Sequence, residues 1–151
     1  MTGGPADVSG WPEWESFVHR HGYLSWLDLE VKHLEDGRAV LEIERNEDFE
    51  NPIGTDGPDP VHGGIVATLI DTASAFALRS TFEDPSEAHL TTTDLNVSYL
   101  RPATGDLRAE AEVLRAGGST GVTNVTVKGT DGEAAVGRTT YRLFRDGLGG
   151  K

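Results

Sequence analysis

Apolar and polar positions alternate with period two across residues 27–43. Leu27, Leu29 and Val31 are interleaved with Asp28, Glu30 and Lys32, and after the turn residues Glu35, Asp36 and Gly37 the set resumes at Ala39, Leu41 and Ile43. Such alternation on both sides of an Asp-Gly turn predicts a β-hairpin. Upstream, Trp14, Phe17 and Val18 share one face of a short helix, bracketed by Pro12 at its first position and Gly22 past its last turn. Residues 46–61 predict a loop, because Asn51-Pro52 and Asp56-Gly57-Pro58-Asp59-Pro60 forbid regular structure. The period then changes. From residue 63 to about 81 the pattern is helical, with Ile65, Leu69, Ala73 and Phe76 as one apolar stripe. Ala67, Ser74, Ala75 and Leu78 lie across from it, so the helix is expected to be buried nearly all round. Four more alternating segments follow. Their inward sets are Leu95, Val97 and Tyr99, then Leu107, Ala109, Ala111 and Val113, then Thr123, Val125 and Val127, and finally residues 135–144. Turn residues at 102–106, 117–118 and 131–132 separate them, which predicts successive antiparallel hairpins. The order helix, two strands, long helix, four strands fits an α+β domain whose sheet curls around one central helix.

Length and composition narrow the chemistry. A chain of 151 residues, 36% apolar, is read as one domain over residues 11–146, with a flexible tail at 1–10 and another at 147–151. There is no cysteine, which excludes disulfides, thiolate metal sites and a cysteine nucleophile. No run approaches the ~18 apolar residues of a membrane span, and the first ten residues lack the basic start and apolar run of a secretory signal, so the expectation is a cytoplasmic protein with no membrane partner. The net charge is −12, with 25 acidic against 13 basic residues, and the basic residues are scattered singly. Nucleic acid is therefore not an expected partner, since a duplex binder needs a positive face. Lysines number three against ten arginines. An acidic, lysine-poor surface suits a salt-adapted protein, whose self-repulsion is screened only at high ionic strength. Loss of the fold on dialysis into low salt is the expected behaviour, and retention would contradict it.

The central helix holds the candidate chemistry. Asp71 is the one formal charge in residues 63–78. Two readings stand side by side: a functional carboxylate in a packed setting, or a structural one satisfied by a hydroxyl such as Thr68 or Ser74. At the helix entrance, His62-Gly63-Gly64 places two residues without side chains where the first N–H groups lack a helical acceptor, a setting that attracts a developing oxyanion. Tight packing at a helix start would also explain the glycines. About two turns on, Asp71 is expected within reach, with room for a water or an acyl carbon between.

The motif running from His62 through Gly63 and Gly64 to Asp71 and Ala73 resembles that of the PaaI-like hotdog thioesterases. The stretch from Thr91 to Ala103, followed by Gly105, Asp106 and Leu107, resembles the strand after the helix in that family, and the likeness extends over roughly residues 27–144. The resemblance implies a hotdog fold, an antiparallel six-stranded sheet wrapped around one long central helix, with assembly as a homodimer or homotetramer and hydrolysis of acyl-CoA to free acid and CoA at the dimer interface, with no cofactor and no metal. It implies Asp71 as general base or nucleophile and the Gly63 N–H as the donor that polarises the carbonyl. Thr92 would supply a hydroxyl near the partner's carboxylate. Asn51, in the pattern Asn51-x-x-Gly54, would place water or the thioester, and His62, Gly64 and Arg101 would contact substrate. Arg79 and Arg115 join Arg101 as candidates for the CoA phosphates. This chain departs from the family pattern by inserting Asp56-Gly57-Pro58-Asp59-Pro60 before His62, which either forms a surface loop or flap or displaces Asn51 so that Asp56 takes a polar role. No Gly-x-Ser-x-Gly elbow is present, His19, His21, His33 and His89 lack metal-ligand spacing, and the His-plus-acid signatures of hotdog dehydratases are missing. The rival class is a hotdog module that binds acyl-CoA without hydrolysing it.

Overall fold

The computed structural model describes residues 7–145. Two short helices open it, α1 (Trp14–Arg20) and α2 (Gly22–Trp26), followed by the strands β1 (Glu30–Glu35) and β2 (Arg38–Ile43). The long helix α3 (Gly63–Arg79) comes next, and then β3 (His89–Tyr99), β4 (Leu107–Ala116), β5 (Thr120–Gly129) and β6 (Gly132–Phe144). All six strands join one antiparallel sheet in the order β1-β2-β4-β5-β6-β3. The hotdog arrangement expected of the sequence is therefore present, with α3 packed against every strand.

The core lies between the helix and the concave face of the sheet. Ile65, Val66, Leu69, Ile70, Ala73, Phe76 and Ala77 of α3 meet Ala39, Leu41 and Ile43 of β2, Leu107, Ala109 and Ala111 of β4, and Val125 and Val127 of β5. Small residues on the strands let the helix approach closely. Gly137 on β6 shows why: a Cβ there would stand 2.7 Å from the Asn96 carbonyl oxygen and 2.9 Å from Ile70 Cγ2. The opposite face is polar and held by a cross-strand ion network in which Arg108 pairs with Glu42 and Glu110, and Lys128 with Glu110.

Asp36 and Gly37 both have positive φ, which gives the tight β1–β2 connection the handedness a two-residue hairpin needs. Several boundaries differ from the sequence expectation. Gly22 does not close the first helix. His21 turns extended, its Nδ1 accepts from the Leu24 N–H, and Gly22 opens α2. Leu27 ends α2 rather than starting β1, and a bulge between Val31 and His33 moves the inward position to Leu34. The tail expected over residues 1–10 is tied down within its described part, where Asp7 bridges His33 and the Gly10 N–H donates to the Leu34 carbonyl. Residues 1–6 and the tail at 147–151 lie outside the described residues.

On β3, Leu95 and Tyr99 are exposed, although they were expected inward. Their direction is as the alternation predicts: Val97 packs on the core and the Tyr99 hydroxyl donates to the Gly63 carbonyl at 2.7 Å. What they lack is a neighbour, because β3 is an edge strand.

Candidate active site

His62 starts α3 as its N-cap, and its Nδ1 accepts the Gly64 N–H at 2.8 Å. That imidazole is fixed as an Nδ1 acceptor, and the Gly64 N–H is already used. Gly64, expected as a substrate contact beside the donor, thus has its own N–H engaged within the chain. The Gly63 N–H, by contrast, meets no acceptor among the described residues. It stands at the positive end of a 17-residue helix, where a partial negative charge is stabilised.

The proline-containing insertion does not carry Asn51 away from this entrance. Glu50 pairs with Val61, and the Asn51 N–H donates to the Pro60 carbonyl, so residues 51–60 form a closed excursion. Asp59 Oδ1 accepts from the Ile53 N–H inside it, while Asp56 is exposed and makes no hydrogen bond among the described residues. Asn51 stays beside the start of α3. Arg101 lies at the same end, exposed, with its guanidinium donating to the Asp131 carbonyl.

Asp71 sits half-buried in the middle of α3. Neither Thr68 nor Ser74 satisfies it, since each hydroxyl donates instead to the helix carbonyl four residues back, Gly64 and Ile70. Its donors come from the sheet. Thr92 Oγ1 donates to Asp71 Oδ1 at 2.7 Å, and the Tyr141 hydroxyl donates to the same oxygen at 2.5 Å while lying 2.8 Å from the Asp71 carbonyl. Thr92 and Tyr141 are direct partners in the β3–β6 ladder, and a bulge just after Thr92 turns the strand there. Burial, and then the neighbouring Asp71 charge, push the Tyr141 phenol far above the ordinary tyrosine range, so it remains a proton donor. Oδ2 accepts nothing among the described residues. Asp71 lines a pocket of about 340 Å³ with Phe17, Leu24, Ala75, Leu90 and Thr92 among its walls.

Two expectations need correction on this geometry. Thr92 lies on the carboxylate of its own chain, because β3 crosses the middle of α3. The Gly63 donor and Asp71 are also too far apart to share one acyl carbon within a chain. Eight residues at 1.5 Å of rise each separate them by ~12 Å along the axis.

A family model described as the thioesterase superfamily matches residues 60–136, which include both the helix entrance and Asp71. The chain belongs to the thioesterase superfamily. It is 44% identical to a Halobacterium salinarum protein provisionally named an esterase, over 97% of this chain and 99% of that protein. It is 35% identical to human acyl-coenzyme A thioesterase 13, over 71% of this chain and 74% of the relative. The solved structure of the Escherichia coli PaaI protein, from the phenylacetic acid degradation operon, has the same fold. The TM-score is 0.75 at 21% identity, covering 89% of this chain and 93% of PaaI.

Within this thioesterase-family framework, Tyr141 is the site residue that sequence reasoning missed. A signal existed: Thr139, Tyr141 and Leu143 form the helix-facing set of β6, and a tyrosine on an inward face needs a partner for its hydroxyl. Among the described residues no three His, Asp or Glu side chains gather where they could hold a metal ion. No described helix is long and apolar enough to cross a membrane.

Proposed function

We propose that the protein hydrolyses acyl-CoA thioesters, with Asp71 activating water. The observation that carries this reading is the carboxylate itself. Two hydroxyls lock one oxygen, the other meets no donor among the described residues, and the group lines a pocket in which Phe17, Leu24, Ala75 and Leu90 stand among polar side chains such as Thr72 and Thr91. An aspartate needed for stability alone would have both oxygens satisfied or exposed to bulk water. Here Oδ2 takes a proton from water as the water oxygen bonds to the thioester carbon. The carbon–sulfur bond then breaks, the thiolate leaves with the proton, and free acid and CoA result. A thioester suits this equipment, because sulfur donates weakly into the carbonyl and a modest base with one or two N–H donors suffices.

The donor is the Gly63 N–H, helped by Asn51, whose own N–H ties it to Pro60 just before the helix. Since ~12 Å of helix separates Gly63 from Asp71 in one chain, the pair that acts together joins Asp71 of one protomer to Gly63 of its partner. Thus the catalytic unit is a homodimer. The names of relatives such as acyl-coenzyme A thioesterase 13 support the CoA ester as substrate.

The test is free-thiol release from short, aromatic and long acyl-CoAs by the wild type and by Asp71→Asn. The amide keeps an oxygen for Thr92 and Tyr141 but cannot act as base, so turnover is expected to fall by about 10²- to 10⁴-fold with Tm little changed. Binding of acyl-CoA with no thiol release from any ester by the wild type would establish the non-hydrolysing module instead.

A further inference from the structure

Thr68, Asp71, Thr72, Ala75, Phe76 and Arg79 recur at helical spacing on one stripe of α3, and all line the same pocket. The stripe carries a charge towards each end, with Thr72, Ala75 and Phe76 between. Phe17, Leu24 and Leu90 complete this middle section from the other walls. Eight residues, ~12 Å of helix axis, separate Asp71 from Arg79, and helical side chains lean back toward the N-terminus, so the long arginine shortens that gap.

Arg79 is held in an unusual way. Its guanidinium carbon stands 4.9 Å from the ring centroids of both Trp11 and Phe17, and Nη1 donates to the Pro85 carbonyl at 3.0 Å. Among the described residues it forms no salt bridge, and Nε and Nη2 donate to no protein acceptor. Withdrawing a guanidinium from water without a carboxylate is costly, and burial pushes its pKa below the ordinary arginine value. Two aromatic faces and one carbonyl offset part of that cost and fix the group in place. The remaining donors are left for something that enters the pocket.

We propose that Arg79 binds the distal carboxylate of the acyl group, so that the preferred substrates are CoA thioesters of short acyl chains ending in a carboxylate. This rests on the thioesterase reading above, which places the reacting carbonyl at Asp71. The chain then runs over Ala75, Phe17 and Leu90 to a fork that matches a carboxylate. A CoA phosphate is the other anion Arg79 could meet. Reaching it would draw the two amides of the pantetheine arm past Phe17, Leu24, Ala75 and Leu90, whose side chains offer them no hydrogen-bond partner.

The experiment compares kcat/KM for thiol release from glutaryl-CoA and from the neutral pentanoyl-CoA of equal chain length, using wild type, Arg79→Gln and Arg79→Lys. The wild type is expected to favour the carboxylate ester by about tenfold or more, with the ratio falling to one or below in Arg79→Gln and partly kept in Arg79→Lys. A wild-type preference for the neutral ester overturns the proposal whether or not the variants fold. Equal weakening of both esters and of free CoA in Arg79→Gln also overturns it, and assigns Arg79 to a CoA phosphate. If no ester releases thiol, the hydrolase reading fails separately, and calorimetric affinities of the wild type for the same two esters then decide the carboxylate preference.

Discussion

Two hydroxyls on one oxygen of Asp71 decide what that residue can do. Thr92 and Tyr141 fix the rotamer of the carboxylate and leave Oδ2 available, so orientation is set before substrate arrives. Tyr141 also carries a pH signature. Its proton is held more tightly in the folded chain than in the unfolded one, where a phenol titrates near ~10. The stability it contributes is therefore complete below that pH and is lost as pH rises above it. Tyr141→Phe is expected to be less stable than wild type by about 1–2 kcal/mol at pH 8, from the lost hydrogen bond to a charged group. By pH 11 the difference should narrow, as read by urea unfolding at both values. A gap that stays constant or widens would show that Tyr141 is not so held.

At the scale of elements, the start of α3 makes a sharp demand. Gly63 is the first helical residue after the His62 cap, a position where proline is well tolerated because its missing N–H has no helical partner. His62, at ψ 131°, already has the extended backbone that a following proline requires. A Cβ at position 63 would stand 3.3 Å from the Tyr99 hydroxyl, so the exposed end of that side chain must give by a few tenths of an ångström. Gly63→Pro thus removes the proposed oxyanion donor while keeping the helix, and kcat is expected to fall by about 10²- to 10³-fold with circular dichroism unchanged and Tm only slightly lowered. Unchanged kcat in a folded Gly63→Pro protein would remove that donor from the account. The same helix shows what the sequence discloses and what it conceals. A lone charge between Gly63 and Leu78 and the His62-Gly63-Gly64 entrance are local signals, and both are legible in the chain. The partners of Asp71 are not, because Thr92 and Tyr141 lie 21 and 70 residues further on and meet it only through the β3–β6 register. Bulges defeat period-two reading for a related reason. Each one reverses the parity of the side chains, as at Val31 to His33 and at Thr92 to Asp94.

In the whole molecule, β3 leaves an eleven-residue edge unpaired in the single chain, with Leu95 and Tyr99 at 40% and 55% exposure and Leu100, just past its end, at 54%. A long unpaired edge of that kind can take up another strand, and under the proposed function a second copy of the chain would be the occupant, since it would also bring a Gly63 N–H to Asp71. The account's central claim is that catalysis uses Asp71 of one protomer with Gly63 of its partner. The most direct measurement mixes Asp71→Asn and Gly63→Pro proteins under conditions in which subunits exchange. Each mixed dimer then has one doubly defective site and one intact site, so thiol release should recover to about a quarter of the wild-type rate from two nearly inactive proteins. Mixtures that show full subunit exchange yet remain as inactive as their components would contradict it.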